Sequence, residues 1–460
     1  MRFKKIDRED IKRLSKIVGK ERISQGMSNL KLHSLDQSHH RESLPDVVIW
    51  PVKEEEVSEI LSYANKKMIP VTAWGAGTSL EGNPIPLFGG IVLDFTLMNR
   101  ILRIREEDFQ ADVQPGVIYQ DLNYRLRHRG LFFPPDPGAR ATIGGIIANN
   151  ASGIRSLRYG SARDNVLRLR VVLADGSIID VGTRANKSSS GYDLLRLFVG
   201  SEGTLGIFVE ATVRLRGIPE YTGSAIASFE KIEECAEAVT QIIKAGIIPA
   251  CLEIMDQECI KVINKIKGIG LSVLPTLLLE LHGGSSSQIK EEMEICSEIC
   301  FSSGCKSFRK GLQKEEYSRI MEARYSLGES IRKANPGRIH TVLDVAVPIS
   351  SFPELVSFAK KETERYKIPS YIFAHAGSGN LHLAFMGKKD EEEWKRIEEI
   401  KDRIVEKAIL LGGTATGEHG VGIGKRKYMK IEHGEAISFM KKIKKLFDPN
   451  GILNPGKIFP

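Results

Sequence analysis

The chain has 460 residues, too many for one hydrophobic core, and this length predicts two or three packed units. Its hydrophobic content of 42% and charged content of 27% are typical of a globular protein. No apolar run approaches the roughly 20 residues that span a bilayer. The net charge of +8 is spread out, without the aromatic interleaving or motif spacing of a nucleic-acid binder. Nucleic acid is thus excluded as a partner, and an anionic substrate, an acidic redox partner or peripheral membrane contact is favoured.

All six cysteines lie between Cys235 and Cys305, in apolar or helical contexts. Reduced, buried thiols of this kind are typical of a cytoplasmic protein. We therefore expect a cytoplasmic location, or one peripheral to the membrane. The spacing of Cys296, Cys300 and Cys305 is not a usual iron–sulfur pattern.

The first half of the chain is predicted to contain strands, turns and occasional helices. The segment "DVVIWPVKEEEVSEILSYANKKMIPVTAWGAG" predicts a strand, a helix that begins at Lys53–Glu56, and a strand that leads into Gly75. The segments "GGIVLDF" and "QADVQPGV" are further predicted strands. "LRVVLADGSIIDVG" predicts a hairpin that turns at Asp175-Gly176.

After Pro219 strand-like and helical segments alternate, which favours helices packed against a sheet. The predicted strands are "SAIASF", "ACLEIM", "LPTLLLELHG", "HTVLDVAVPI" and "PSYIFAHAG", and the predicted helices include Lys231–Ala245, Gln288–Phe301 and Glu315–Lys333. We expect a first domain over 1–216, a second over 217–410, and a C-terminal segment over 411–460 that packs on the first.

Two histidines lie seven positions apart in "FAHAGSGNLHLAF". If Ser378-Gly379 is the tip of a hairpin, then Gly377 pairs with Asn380, Ala376 with Leu381, and His375 with His382. Their Cβ atoms would then lie about 5 Å apart on one face, which suits a divalent metal with a third, anionic ligand. A surface coincidence gives the same spacing, so the pair alone does not decide between the two interpretations.

Three separate loops are rich in small residues: "WGAGTSLEGNP", "ATIGGIIANNASG" and "VGSEGTLGI". The first has the composition of a backbone nest for a pyrophosphate. Three such loops in one domain favour an extended ligand that lies across them. None of the Gly-Lys pairs is followed by Ser or Thr, and no complete Rossmann motif is present, so a P-loop and a nicotinamide fold are poorly supported.

These stretches, with "PPDPGARATIGGIIANNASGIRSLRYGSARDNV", "GYDLLRLFVGSEGTLGI", "HAGSGNLH", "GEHGVG" and "DPNGILNPGK", resemble a known family. The resemblance is to the FAD-binding vanillyl-alcohol-oxidase superfamily, in the branch with D-lactate dehydrogenase, the glycolate oxidase flavoprotein subunit and D-2-hydroxyglutarate dehydrogenase. It implies an α+β fold: an FAD-binding (PCMH-type) domain of two α/β subdomains, an α+β cap with a ferredoxin-like sheet and helices, and a C-terminal segment that returns to the FAD domain.

The resemblance also implies the residues that contact FAD. They are Gly75, Ala76, Gly77, Thr78 and Ser79 at the pyrophosphate, Pro135, Asp136, Thr142, Gly144, Gly145, Asn149, Ser152 and Tyr159 along the flavin, and Glu202, Gly203, Gly206 and Ile207 at the adenine end. Relatives that bond FAD covalently have a His in the first loop. Thr78 occupies that position, so we expect dissociable FAD.

In the same branch two His and a Glu bind a divalent metal, zinc or manganese, which implies His375, His382 and Glu418 here. The next residue, His419, is implied as the base that takes the substrate hydroxyl proton, and Arg324 as the group that binds the substrate carboxylate. The implied reaction is oxidation of a D-2-hydroxy acid by hydride transfer to flavin N5.

Three positions depart from the relatives. Ser378 stands where they usually have Asp, while Ala384 and Val342 replace the Asn and Lys of the hydroxyglutarate-specific members. Without the two polar contacts that the Asn and Lys side chains would make, lactate or a similar monocarboxylate is favoured as the substrate.

Other interpretations remain open. One is a flavoprotein subunit of a glycolate oxidase complex that passes electrons to an iron–sulfur partner. Another is a non-catalytic FAD scaffold, and a third, more distant one is an ether-lipid synthase. The expected partners are a small 2-hydroxy acid and a redox partner: a quinone, an electron-transfer flavoprotein or an iron–sulfur subunit. A homodimer is also compatible with the sequence.

Overall fold

A computed structural model describes residues 3–311, 314–366 and 368–460. Its backbone contacts divide the chain into two compact units. The first comprises Met1–Ser152, Gly160–Ile218 and Glu418–Pro460, and the second comprises Gly153–Tyr159 and Pro219–Gly417. Each unit contains helices and strands, so the predicted α+β class is confirmed.

The strands in chain order are β1 (Ile23–Ser24), β2 (Val47–Ile49), β3 (Val71–Trp74), β4 (Ile91–Asp94), β5 (Ile101–Arg105), β6 (Gln110–Val113), β7 (Leu131–Phe132), β8 (Val166–Val172), β9 (Ile178–Gly182), β10 (Ile207–Arg214), β11 (Arg216–Gly217), β12 (Tyr221–Ser228), β13 (Cys251–Met255), β14 (Thr276–Gly283), β15 (Ser307–Lys310), β16 (Ile339–Ala346), β17 (Ser370–His375) and β18 (Asn380–Gly387). The helices are α1 (Arg8–Val18), α2 (Met27–Leu32), α3 (Glu54–Lys67), α4 (Tyr119–Leu126), α5 (Ile143–Asn149), α6 (Ser156–Tyr159), α7 (Ala162–Asn165), α8 (Leu194–Phe198), α9 (Ile232–Lys244), α10 (Gln257–Lys267), α11 (Ser286–Ser302), α12 (Lys314–Tyr325), α13 (Leu327–Ala334), α14 (Phe352–Tyr366), α15 (Glu391–Leu410), α16 (Met429–His433) and α17 (Ala436–Phe447).

The first unit contains a four-stranded sheet in the order β1-β2-β4-β3 and a five-stranded antiparallel sheet in the order β5-β6-β10-β8-β9. Strands β2, β4 and β3 run parallel, as a βαβ unit requires. The helix between β2 and β3 begins with three glutamates and ends with two lysines, which complement its dipole. The predicted βαβ start and the hairpin of β8 and β9 are both confirmed.

The C-terminal segment returns to the first unit. The backbone N–H of Val71 donates to the carbonyl of Ile452 at 2.8 Å, and the N–H of Asn454 donates to the carbonyl of Val71 at 2.8 Å. Ile452 and Leu453 are fully buried in the hydrophobic cluster of β2, β3, β4 and α3. The end of the chain thus extends the core of the parallel sheet.

The second unit is built on a seven-stranded antiparallel sheet in the order β15-β12-β14-β13-β17-β18-β16. Apolar side chains of α10, α12 and α13 form one core with side chains of β13, β14, β16, β17 and β18. The single helix predicted over Glu315–Lys333 is two helices, because the chain turns at Ser326 between α12 and α13. Strand β15 was not predicted from the sequence.

None of the helices within the described residues combines the length and the apolar character needed to cross a lipid bilayer.

Candidate active site

Strands β17 and β18 form an antiparallel hairpin that places two histidines on one face of the sheet of the second unit. The register pairs His375 with Asn380 and Phe373 with His382. The predicted pairing of His375 with His382, like those of Ala376 with Leu381 and Gly377 with Asn380, is therefore wrong by two residues. Phe373 and His375 are two residues apart on one strand, so both histidines still share a face.

The register differs because the hairpin loop is longer than predicted. Ala376–Ser378 form a 3-10 turn, and Gly379 follows with φ at 68°. A Cβ on Gly379 would lie 2.2 Å from the Val347 carbonyl oxygen, so this position requires glycine for both reasons. The Ser378 hydroxyl donates to the His375 carbonyl at 3.0 Å, which closes the turn.

The two imidazoles lie close together and are buried. Their ring centroids are 4.9 Å apart, with the ring planes at 84°. His375 Nδ1 is 2.8 Å from a carboxylate oxygen of Glu253, and His382 Nδ1 is 3.7 Å from one of Asp344. Both carboxylates are fully buried. The hydrogen bond to Glu253 leaves Nε2 of His375 as its ligand atom, and two neighbouring imidazoles fit zinc or manganese.

Arg324, the predicted carboxylate ligand, is buried on α12. Its Nη2 lies 2.5 Å from Glu253 Oε2, and its guanidinium lies 5.0 Å from the ring centroid of Phe373. Arg324 and His375 therefore contact the two oxygens of the same carboxylate. This placement links the predicted substrate-binding residue to the histidine pair.

Asp344 fixes the chain that leads out of the second unit. One of its oxygens accepts from Asn380 Nδ2 at 2.7 Å, and the other accepts from Thr416 Oγ1 at 2.9 Å. A Cβ on Gly417 would lie 2.2 Å from Asn380 Nδ2, so Gly417 packs directly on this pair. Glu418 is the next residue and begins the last segment of the first unit.

Within the first unit, Glu418 and His419 are held by the segment around α5. Glu418 Oε2 accepts from the backbone N–H of Ser152 at 3.2 Å and from its hydroxyl at 2.8 Å. Asn149 Nδ2 donates to the His419 carbonyl at 3.0 Å. The backbone N–H of Asp136 donates to the Ser152 carbonyl at 2.8 Å. Four residues predicted to contact FAD or to act in catalysis are therefore connected to Glu418 by hydrogen bonds or through the backbone: Asp136, Asn149, Ser152 and His419.

The remaining residues predicted to contact FAD are placed as follows. Gly75, Ala76, Gly77, Thr78 and Ser79 follow β3, Pro135 precedes Asp136, Thr142, Gly144 and Gly145 begin α5, and Glu202, Gly203, Gly206 and Ile207 lead into β10. The first loop lies against α5, since a Cβ on Gly75 would lie 2.3 Å from Thr142 Oγ1. The third loop joins them, since the backbone N–H of Glu202 donates to the Ala148 carbonyl at 2.9 Å, so all three predicted small-residue loops meet within the first unit.

Glu202 is buried and has a positive φ of 52°. Its carboxylate accepts from the backbone N–H groups of Val421 at 2.6 Å and Gly422 at 2.9 Å, and from Asn83 Nδ2 at 2.7 Å. Burial raises the pKa of Glu202 against the effect of these donors. Its carboxylate thus ties the segment after His419 to the loop of Asn83.

Tyr159, predicted to contact the flavin, lies on α6 in the second unit. Its hydroxyl is 2.7 Å from His282 Nδ1, and His282 Nε2 is 2.6 Å from Glu280. Burial opposes ionisation of Glu280, but the hydrogen bond from His282, the positive charge of Arg155 and the hydrogen bond from Tyr317 bring its pKa down to about 2. The sequence patterns had pointed to neither His282 nor Glu280.

Sequence reasoning also missed Glu253. One signal was available: Glu253 is the only charged residue in the apolar strand "ACLEIM". A lone carboxylate inside an apolar strand needs a buried partner, because an unpaired buried charge is costly.

Comparisons with known proteins agree with this architecture. The family described as "FAD binding domain" matches residues 45–182, and "FAD linked oxidases, C-terminal domain" matches residues 218–458. The chain belongs to the FAD-linked oxidases. It is 39% identical over 447 residues to a probable mitochondrial D-lactate dehydrogenase of Danio rerio, with 96% of this chain and 90% of the relative covered. It is 41% identical over 458 residues to glycolate oxidase subunit GlcD of Bacillus subtilis, with 98% and 97% covered.

Solved structures show the same fold. A 4-ethylphenol oxidase from Gulosibacter chungangensis superposes with a TM-score of 0.80 at 19% identity, covering 99% of this chain and 98% of that one. p-Cresol methylhydroxylase superposes with a TM-score of 0.78 at 15% identity, covering 98% and 97%. The family models and the relatives, in turn, confirm the predicted membership of the vanillyl-alcohol-oxidase superfamily and FAD as the cofactor.

Proposed function

We propose that this FAD-linked oxidase is a dehydrogenase that converts a D-2-hydroxy acid, D-lactate or a similar monocarboxylate, to the 2-oxo acid. The observation that supports this best is the pair of buried histidines, each with a buried carboxylate beside Nδ1. A non-catalytic scaffold has no use for such a pair. The names of the relatives, D-lactate dehydrogenase and glycolate oxidase subunit, agree with a hydroxy-acid substrate.

In this proposal His375, His382 and Glu418 hold a divalent cation. Two features support the third ligand: Glu418 directly follows Gly417, which packs on Asn380, and its carboxylate is oriented by Ser152. When bound, the cation lowers the pKa of the substrate hydroxyl and FAD accepts the hydride.

His419 accepts the hydroxyl proton as the general base, and Arg324 binds the substrate carboxylate. A neutral imidazole suits the first task near neutral pH, and a guanidinium fork suits the second. The hydrogen bond from Asn149 to the His419 carbonyl supports the first role, because it fixes the backbone from which the imidazole projects. The buried position of Arg324 beside Phe373 supports the second.

The residues beside His382 favour a small, apolar substrate side chain. Val342 and Ala384 are paired across β16 and β18, two residues from the pair of Asp344 and His382 and on the same face. Both are buried in an apolar cluster with Tyr371. A second substrate carboxylate would find no charged partner in either side chain.

The electrons leave to a separate acceptor other than a nicotinamide nucleotide. Several D-lactate dehydrogenase relatives carry the word cytochrome in their names, among them a mitochondrial protein of Arabidopsis thaliana that is 37% identical, with 100% of this chain and 81% of the relative covered. Across the described parts of the chain, no group of three nearby metal ligands contains a cysteine. We expect the acceptor to be a separate molecule: a quinone, an electron-transfer flavoprotein, an iron–sulfur subunit or, as those names indicate, a cytochrome.

A second candidate is a flavoprotein subunit of a glycolate oxidase complex, favoured by the 41% identity to subunit GlcD. The two candidates differ in substrate and in the need for a partner. Anaerobic mixing of the purified protein with D- and L-lactate, glycolate and D-2-hydroxyglutarate, with and without chelator, tests both. Bleaching of the flavin by D-lactate that chelator prevents supports the first, while bleaching by glycolate alone supports the second. No bleaching by any hydroxy acid contradicts both.

A further inference from the structure

Glu253 occupies an unusual position for a carboxylate. It lies in the middle of β13, in the centre of the seven-stranded sheet, and is fully buried. A buried charge is stable only where other groups compensate it. The sheet register places Glu253 directly opposite His375 of β17, so the two side chains share a face.

The contacts of Glu253 determine the state of His375. A carboxylate only accepts hydrogen bonds, so Nδ1 of His375, 2.8 Å from Oε1, carries the proton. The lone pair of the ring is then on Nε2, the arrangement required of a metal-binding imidazole. Without this acceptor the ring could equally carry its proton on Nε2 and turn about its χ2 axis.

The other oxygen of Glu253 is 2.5 Å from Arg324 Nη2. The guanidinium of Arg324 lies over Phe373, whose ring stacks on His382 with centroids 5.3 Å apart and planes at 27°. His382 in turn contacts His375. Five side chains thus form a closed ring of contacts within the second unit, and Glu253 is the only carboxylate among them.

We propose that Glu253 is the positioning residue of this site: it holds His375 in the metal-binding tautomer and holds Arg324 beside the histidine pair. This inference rests on the proposed function, since it takes His375 as a metal ligand and Arg324 as the carboxylate ligand. The new element is that one buried carboxylate, Glu253, aligns both His375 and Arg324. Loss of the charge at Glu253 therefore weakens metal binding and raises the KM for the hydroxy acid, without removing any ligand atom.

The test compares two equivalent substitutions. Glu253→Gln removes the charge beside His375, and Glu280→Gln removes a similarly buried charge beside His282 on the neighbouring strand β14. Zinc and manganese are titrated calorimetrically into chelator-treated, FAD-loaded protein. We expect a dissociation constant raised about 10- to 100-fold in Glu253→Gln, the usual effect of losing an outer carboxylate, and an unchanged one in Glu280→Gln.

Kinetics provide a second measurement. In Glu253→Gln, saturating metal is expected to restore most of kcat but leave KM for the hydroxy acid raised. A melting temperature lowered equally in both variants, with metal affinity kept in both, would overturn the proposal, because the role of Glu253 would then be structural only. Where Glu253→Gln retains no FAD, Glu253→Asp takes its place, with a smaller loss of affinity expected. Failure of the unmutated protein to bind metal contradicts the proposed function instead.

Discussion

Val342 and Ala384 face each other across β16 and β18, two residues along from Asp344 and His382. The family resemblance implies Lys and Asn at these positions in hydroxyglutarate-specific members. We expect Val342→Lys combined with Ala384→Asn to raise kcat/KM for D-2-hydroxyglutarate relative to D-lactate about 10- to 100-fold, because a hydrogen bond to a charged group contributes about 1.5–3 kcal/mol. Competition kinetics with both acids measure the ratio. Val342→Ile keeps the surface apolar and should leave it unchanged; an unchanged ratio in the FAD-loaded double variant would refute the prediction.

His382→Ala is expected to abolish metal binding and turnover while FAD remains bound, because the hairpin and the small-residue loops belong to different units. Metal content and flavin absorbance of the purified variant measure both. The matched control is His282→Ala, which removes another buried imidazole that contacts a carboxylate and should retain metal. Loss of FAD from His382→Ala but not from His282→Ala would indicate that the hairpin supports the cofactor and not a cation.

His419→Ala is expected to slow flavin reduction by about 10²- to 10⁴-fold, the usual contribution of a general base. The hydrogen bond from Asn149 should persist, because it goes to the backbone carbonyl of His419, which the substitution keeps. Anaerobic stopped-flow reduction by D-lactate gives the rate, and His433→Ala, a histidine beyond the candidate site on α16, serves as the control. Reduction at the parent rate would remove His419 from the mechanism.

The local elements could be predicted because their signals are local. The helix after Lys53 has acidic residues at its start and lysines at its end, and Asp175-Gly176 is a strong turn pair. The hairpin register could not be predicted in the same way. It depends on Gly379 approaching the Val347 carbonyl, a contact between chain segments that no spacing rule contains.

The residues of the candidate site show the same difference between local sequence signals and contacts between distant segments. His375 and His382 were found from a motif, and the sheet confirms that they share a face. Glu253 was missed because its partners, His375 and Arg324, are far from it in the chain and join it only when β13, β17 and α12 come together. Residues that bind a ligand can be identified from a sequence motif. The residues that orient them can be identified only when the fold brings distant segments together.

Non-covalent FAD is the expected state, because Thr78 stands where covalently flavinylated relatives have a histidine. A threonine hydroxyl does not provide the ring nitrogen that bonds to the flavin. Acid precipitation should therefore leave all the yellow colour in the supernatant, and the absorbance of pellet and supernatant measures the division. Colour retained by the washed, denatured chain would show that another residue bonds the flavin.

Acid should destabilise the second unit through Glu280. The pKa of this carboxyl is lowered from 4.5 to about 2, since the His282 hydrogen bond, Arg155 and Tyr317 together outweigh the effect of burial. The unfolded chain therefore takes up the proton first as the pH falls, and the free energy of unfolding decreases between pH 4.5 and pH 2. The full shift corresponds to about 3 kcal/mol.

Urea unfolding at pH 5 and pH 3 should show a loss of stability that Glu280→Gln reduces, because the amide does not titrate. Glu294→Gln, which changes an exposed carboxylate on α11, controls for the loss of one charge. A parental slope in Glu280→Gln would mean that other carboxyls carry the acid dependence.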